Sequence, residues 1–237
     1  GGSAPGIVQP HAEAIYLLRA VHLPQVRELY QRVNKIAQGA AMMTETSVVI
    51  TFIKACSNVI INSELNRVMQ QNLEEIPPAD FDEGDLELAR RVQGTLTPSK
   101  SYFETLYEEI TDPEERAKLE QDIHAPIHRA VMPLAQERQG FVSSDVGDVS
   151  WNCPVAQINA ATAPAGIAMH SWQMVSVGKS PMAKKGMLYA AKVMAGSAID
   201  ALEDPTIIQR AKEEHKFRTG GRPYESPIPP DVMPRIL

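Results

Sequence analysis

Hydrophobic and polar positions predict a short part with strands and one helix, followed by a longer and more helical part. Residues 13–20 and 45–53 each place apolar side chains on one side, as in strands with one buried face. Between them, Pro24 begins a run with apolar residues every three or four positions up to Gly39, as on one helix face. This unit is too small to bury a core, so we expect it to need strands from another segment or chain.

Capping residues predict where the helices of the second part begin. Asn62 precedes apolar residues at helical spacing, and Asp112 and Ser180 each precede a proline. An N-cap side chain accepts a hydrogen bond from a free backbone N–H, and proline suits the first helical position. Three helices are therefore expected to begin at these points. The same pattern predicts further helices over residues 85–96, 102–110 and 146–152, and a strand over residues 155–162.

The longest predicted helix covers residues 181–202. Gly186 and Gly196 would each cost about 1 kcal/mol relative to alanine in a helix interior, so we expect them to allow close backbone packing. Apolar residues at helical spacing predict which side is buried. That side consists of Met187, Ala191, Met194, Ala195, Ala198, Ile199 and Leu202, and the exposed side carries Lys184, Lys185, Lys192 and Asp200.

Charge and composition exclude several classes of protein. The formal net charge of -6 disfavours a nucleic-acid partner, because such binding depends on Lys and Arg contacts to phosphate. Cys56 and Cys153 are too few for a disulfide framework and sit beside apolar runs, as buried free thiols would. No apolar run reaches the roughly 18 residues that span a bilayer, and no signal peptide is recognised. A cytoplasmic protein without membrane contact is expected. The sequence begins without Met, so we expect it to be a segment of a longer chain.

Acidic, imidazole and hydroxyl side chains gather between apolar elements. An acidic turn over residues 144–151 contains Asp145 and Asp148, and His170 follows the predicted strand. Carboxylate and neutral imidazole groups are ligands for zinc or manganese. The same residues also fit structural roles, with Asp145 as a helix cap, Asp148 as a first-turn charge and His170 as a hydrogen-bonded loop residue. Spacing alone leaves both interpretations open.

Two apparent motifs fail on closer reading. Gly178-Lys179-Ser180 lacks the glycine that a phosphate-binding loop needs five residues earlier, where Gln173 stands. His124 and His128 have the spacing of two metal ligands on a helix, but a proline lies between them, so a surface loop is expected. Neither motif supports a nucleotide site or a metal site.

Several longer motifs resemble the M20 metallopeptidases. The resemblance covers nearly the whole chain and is weakest over residues 77–140. It implies an α/β fold, made of the C-terminal half of a zinc-exopeptidase-like catalytic domain (58–237) and the second half of an α+β, ferredoxin-like lid or dimerisation domain (1–57). The motifs are Ile7 to Glu13, Leu18 to Ala20, Met43 to Thr46, Lys54 to Ser57, Ser144 to Trp151, His170 to Gln173 and Lys185 to Lys192.

The resemblance implies a hydrolase that cleaves amide bonds of N-acyl amino acids or dipeptides with two divalent metal ions, Mn or Zn. By motif match, His170 is a metal ligand and Arg19 contacts the substrate carboxylate, where a planar guanidinium pairs well. An exposed strand residue without function is the alternative for Arg19. Asp145 and Asp148 are expected to orient the metal ligands without binding the metal themselves.

The chain also departs from the family pattern. No histidine here is followed two residues later by Asp, and the four Glu-Glu pairs lie in charged segments, so the other ligands and the general base are missing. One histidine cannot hold a catalytic metal alone. We therefore expect an enzyme half that is inactive alone and needs an N-terminal half or partner subunit, in a homo- or heterodimer formed through the lid. The alternative is a non-catalytic dimerisation or interaction module derived from such an enzyme.

Overall fold

The structure, a computed structural model, describes residues 6–97, 102–134 and 144–233. Within these ranges the chain forms helices joined by turns and irregular segments, without any strand. The expected α/β fold, with a zinc-exopeptidase-like catalytic part and a ferredoxin-like lid, is therefore wrong for the described part of the chain. The helices are α1 (Leu23–Met43), α2 (Ser63–Glu75), α3 (Glu83–Gln93), α4 (Tyr102–Glu109), α5 (Pro113–Leu119), α6 (Val146–Asn152), α7 (Trp172–Val177), α8 (Pro181–Glu203) and α9 (Pro205–Thr219).

The predicted strands are absent because they find no pairing partner within the described ranges. The alternation itself is partly retained: Val48 and Ile50 are 42% and 39% exposed, whereas Val49 between them is 88% exposed. A strand, however, is defined by backbone hydrogen bonds to a neighbouring strand. Periodicity identifies the side chains that turn inward, but it cannot supply the second strand.

The chain divides into two compact units, each described here by itself. The first contains α1 and α6, with described residues 6–59, 144–152 and 223–233. None of its described hydrophobic side chains is fully buried. Tyr30 of α1 contacts Phe52 edge-on, with ring centroids 5.7 Å apart. The expected boundary between a lid domain (1–57) and a catalytic domain (58–237) stays a prediction.

The second unit is built around α2, α8 and α9. Asn62, buried at the start of α2, donates from Nδ2 to the carbonyl of Ala211 in α9 at 2.8 Å. Tyr189 of α8 donates its hydroxyl hydrogen to the carbonyl of Leu73 in α2 at 3.0 Å. These bonds satisfy polar groups that would be costly to bury unpaired, so they fix the three helices against one another.

The predicted buried side of α8 is wrong, whereas Lys184 and Lys192 are exposed as predicted. Its buried side consists of Met182, Ala183, Gly186, Tyr189 and Val193. The side predicted to be buried is open, as its largest members show: Met194 is 55% exposed and Leu202 is 81% exposed. Periodicity fails here because α8 carries apolar residues on both sides, and packing against α2 and α9 decides between them.

The glycine prediction for α8 is confirmed. A Cβ atom on Gly186 would lie 1.9 Å from the carbonyl oxygen of Ala161, and one on Gly196 would lie 2.1 Å from Oδ1 of Asn72. Both distances are far inside van der Waals contact. Only glycine lets α8 approach these neighbours so closely.

The predicted helix starts are also confirmed. Asn62, Asp112 and Ser180 each accept a backbone N–H bond from the first turn of the helix that follows. Ser180 is thus a cap rather than part of a phosphate loop. Cys153 is exposed, contrary to the expectation of a buried thiol. None of the described helices combines the length and the apolar character needed to cross a membrane.

Candidate functional site

His170 lies in the loop that leads into α7. Its side chain is exposed, and its backbone adopts φ 61°, a left-handed conformation that is uncommon outside glycine. Ser171, the next residue, caps α7 by accepting from the N–H of Met174 at 3.2 Å and donates to the carbonyl of Ala168 at 2.7 Å. The cap fixes the backbone immediately after His170, so the imidazole is held at the turn into the helix.

The loop that carries His170 is anchored at its base. The N–H of Ala165 donates to the carbonyl of Pro126 at 2.8 Å, and Nε2 of Gln93 donates to the carbonyl of Ala165 at 3.1 Å. Gly166 follows with φ 82°, which glycine adopts without strain. Two backbone anchors and a helix cap therefore constrain the segment on both sides of His170.

The described residues do not complete a metal site. No group of three or more His, Cys, Asp and Glu side chains is placed to hold a metal ion within those ranges. Catalytic zinc sites use three protein ligands and an open position, which one exposed imidazole does not provide. The expected dinuclear centre therefore does not fit the described part of this chain alone, and His170 as a ligand stays a prediction.

Asp148 joins three separate segments of the first unit. Its Oδ1 accepts from the N–H of Ser57 and from the hydroxyl of Tyr224, each at 3.1 Å. Beside it, Gly147 lies so close to Ser57 that a Cβ atom would be 2.0 Å from the Ser57 carbonyl oxygen. Trp151 extends the contact by donating from Nε1 to the carbonyl of Asn58 at 3.0 Å. Asp148 thus has a clear structural role, and its expected supporting role near a metal remains untested.

The environment of Tyr224 raises the pKa of its phenol. Burial is the main cause, because it disfavours the phenolate, and the neighbouring Asp148 carboxylate and Cys56 add to it. The neutral hydroxyl is therefore favoured, as its hydrogen bond to Asp148 requires.

The other predicted residues of the first unit are exposed. Asp145 does not act as the expected cap of α6, where the Ser144 hydroxyl instead accepts from the N–H of Val146 at 3.2 Å. Arg19 lies in a segment with neither helix nor strand. Arg19 and Asp145 belong to the first unit with Asp148, whereas His170 belongs to the second.

Sequence reasoning missed an ion pair at the start of α3. Lys185 of α8 donates from Nζ to Asp82 at 2.7 Å and to Asp85 at 2.6 Å. The hydrogen bond to Asp82 is the main cause that raises the pKa of Lys185, and the hydrogen bond to Asp85 is the second. The same bond from Lys185 lowers the pKa of Asp82. The two aspartates also form a reciprocal capping box on α3. The D-x-x-D spacing was a usable signal for the cap, but nothing local indicated the lysine.

His128 is not the surface residue that the sequence predicted. Its ring stacks on Phe103 at a centroid distance of 3.9 Å, and Nδ1 lies 2.9 Å from the Asp122 carbonyl oxygen. Its Nε2 is buried without a hydrogen-bond partner among the described residues. Burial alone would raise the pKa of Asp122, but hydrogen bonds from His128 and from the N–H groups of Ala130 and Arg129 outweigh it and lower that pKa.

Comparison with known proteins finds a relative for the whole chain. Over 245 aligned residues the chain is 38% identical to the B subunit of p-aminobenzoyl-glutamate hydrolase from Escherichia coli (strain K12), and the alignment covers 100% of this chain and 50% of that protein. The chain therefore spans about half the length of the curated relative it matches. No family model and no solved structure matches the sequence. The motifs at residues 144–151, 170–173 and 185–192 also resemble this hydrolase subunit, and the identity over the whole chain confirms that resemblance.

Proposed function

We propose, from the relation to p-aminobenzoyl-glutamate hydrolase, that this chain supplies one part of the active site of a metal-dependent amide hydrolase. The substrates are N-acyl amino acids or dipeptides that resemble p-aminobenzoyl-glutamate. The single observation that carries the proposal is the 38% identity along the whole chain to half of a hydrolase subunit. A companion polypeptide, equivalent to the half of the E. coli protein that this chain does not match, supplies the remaining metal ligands and the general base.

His170 is the contribution of this chain to the metal site, which holds Mn or Zn. Its exposed imidazole and the constrained loop on both sides support the assignment, because a ligand must be both accessible and held in place. Neutral imidazole suits either ion. No reaction step is assigned to the metal, since the described residues hold only this one candidate ligand.

Arg19 is proposed to bind a carboxylate of the substrate. The glutamate part of a p-aminobenzoyl-glutamate-like substrate carries carboxylates, and a guanidinium pairs with such a group through two parallel hydrogen bonds. The exposure of Arg19 leaves its surface accessible to a substrate. Dimerisation through residues 1–57 and a cytoplasmic location belong to the same proposal.

A non-catalytic interaction module is the second candidate. It is favoured by one observation, that the described residues hold no group of three or more His, Cys, Asp and Glu side chains placed to bind a metal ion. In this alternative the chain retains the surfaces of an enzyme but contributes nothing to turnover, so reconstitution with a companion would give a complex without hydrolysis.

Reconstitution tests the proposed hydrolase function. Hydrolysis of p-aminobenzoyl-glutamate is measured with Mn or Zn for the chain alone, for the companion alone and for both together, using as companion the half of the E. coli protein that this chain does not match. We expect turnover only from the pair, and we expect His170→Ala to abolish it. His124→Ala is the matched control, because His124 is an exposed histidine of the same unit and its loss leaves turnover unchanged.

The outcomes separate the two candidates. Turnover by the pair that depends on His170 supports the hydrolase. A stable pair without turnover favours the interaction module, and full turnover in the His170→Ala pair overturns the assignment of this residue as a ligand.

A further inference from the structure

Helix α8 is apolar on two opposite sides, and only one of them is covered. The covered side packs against α2 and α9 and, in its first turn, against a core that includes Phe81, Ala89 and Val177; Met182 and Val193 are completely buried. The other side, which we call the open face of α8, has no such cover among the described residues. Met187, Met194, Ile199 and Leu202 on it are 59%, 55%, 53% and 81% exposed. The open face comprises Met187, Ala191, Met194, Ala195, Ala198, Ile199 and Leu202.

The open face is a continuous helical stripe. Its members follow spacings of mostly three and four residues over slightly more than four turns, a length of about 22 Å at 1.5 Å per residue. All seven are apolar; on the same face the charged Lys184 lies one turn before Met187, and Lys192 lies at the edge of the stripe. Contiguous exposed apolar surface of this kind marks an interaction site.

A helix with two apolar sides is typical of the interior of a larger domain. An amphipathic surface helix of a complete domain has a polar outer side, and α8 does not. The whole chain aligns with the E. coli protein but covers only 50% of that protein. The remaining half of such a protein is therefore a polypeptide of suitable size to cover this side of α8.

We propose that the open face of α8 is the docking surface for the companion polypeptide. The inference rests on the companion invoked under the proposed function, and it names the surface that binds it. Methionine and alanine, which dominate this face, suit close packing against an apolar partner: methionine side chains adapt their shape, and alanine lets a neighbouring element approach. Docking here would also bring the companion to the unit that carries His170.

Charge placed on the open face tests the proposal. The chain is co-expressed with a tagged companion, the half of the E. coli protein that it does not match, and the amount captured is measured. Met194→Asp and Ala198→Glu each put an unpaired carboxylate into the interface, so we expect capture to fall at least about tenfold. Phe217→Asp is the matched control, because Phe217 of α9 is 85% exposed and lies off this face. Circular dichroism and the unfolding midpoint verify that each variant folds.

Each outcome decides the proposal. Selective loss of capture in the α8 variants supports it. Equal capture by the α8 variants and the wild type, or no capture by the folded wild type, overturns it. A wild-type homodimer that Met194→Asp dissociates, with companion capture unchanged, would assign the face to a second copy of this chain instead. Because capture is measured without turnover, a complex that forms through α8 but does not hydrolyse substrate contradicts the proposed function and leaves this inference standing.

Discussion

Lys185 and Asp85 form an ion pair that joins α8 to the start of α3, with Nζ 2.6 Å from Oδ2 of a carboxylate whose side chain is only 2% exposed. Removing the lysine would leave that carboxylate buried without its cation, which is more costly than losing an exposed pair. We expect Lys185→Gln to lower the thermal unfolding midpoint clearly. Lys184→Gln, at the exposed neighbouring position, leaves it unchanged. Equal midpoints for the two variants would show that the pair does not stabilise the fold.

Replacing glycine by alanine should have opposite effects at Gly186, which packs closely against Ala161, and at Gly39, which does not pack against any neighbour. Gly186→Ala forces a Cβ atom to within 1.9 Å of a backbone oxygen, so it should destabilise the protein by about 1–3 kcal/mol or more. Gly39→Ala in α1 meets no atom within 4 Å and should stabilise its helix by about 0.5–1 kcal/mol. Urea unfolding of both variants measures the difference. A stabilised Gly186→Ala variant would contradict the packing described for α8.

The raised pKa of Tyr224 should depend in part on Asp148. Asp148→Asn removes the negative charge but retains an oxygen that accepts from Ser57, so the pKa of Tyr224 is expected to fall. It should remain above the ordinary value, because burial, the larger cause, persists. Titration of carbon-13-labelled tyrosine by NMR resolves this residue. Tyr189, whose pKa is raised by burial, should not shift and serves as the internal control.

Glu214 is expected to make the stability of the second unit depend on acid pH. Burial alone would raise its pKa, but the N–H groups of Glu64 and Ser63 and the side chain of Arg218 outweigh it and lower the pKa below its usual 4.5. The stabilisation is therefore complete above about pH 4.5 and is lost as pH falls through the folded-state pKa.

The corresponding variant is Glu214→Gln. It should lower the free energy of unfolding by about 1–3 kcal/mol at pH 7, and the difference from wild type should shrink toward pH 3. Glu213→Gln, an exposed neighbour, should change stability by less than about 0.5 kcal/mol at either pH. A pH-independent difference for Glu214→Gln would contradict the lowered pKa.

What the sequence predicted correctly is local. The starts of α2, α5 and α8 follow from Asn62, Asp112 and Ser180, because a cap acts within one helical turn. Two helices, α7 and α9, lay outside the predictions even though Ser171 and Asp204 cap them in the same way. Helix α7 is short, and the apolar residues of α9 follow helical spacing only weakly, so the hydrophobic pattern predicted neither helix.

What the sequence predicted wrongly depends on distant partners. The strand over residues 45–53 needs a neighbour that the described residues do not provide. The buried side of α8 is decided by packing against α2 and α9, and the partners Lys185 and Asp85 are 100 residues apart in sequence. For the candidate site, the sequence indicated Arg19 only through resemblance. The polar cluster around His170 left its role open, and the resemblance was needed to choose the metal ligand, since an exposed imidazole or guanidinium leaves no periodic pattern.

Metal retention by the reconstituted pair tests the central claim most directly. The pair is loaded with Mn or Zn and desalted, and the metal bound per complex is measured by mass spectrometry for wild type, His170→Ala and His124→Ala. If His170 is a ligand, the wild type and His124→Ala retain metal, and His170→Ala binds it at least about tenfold more weakly. Equal retention by all three complexes would contradict the claim that this chain contributes to a metal site through His170.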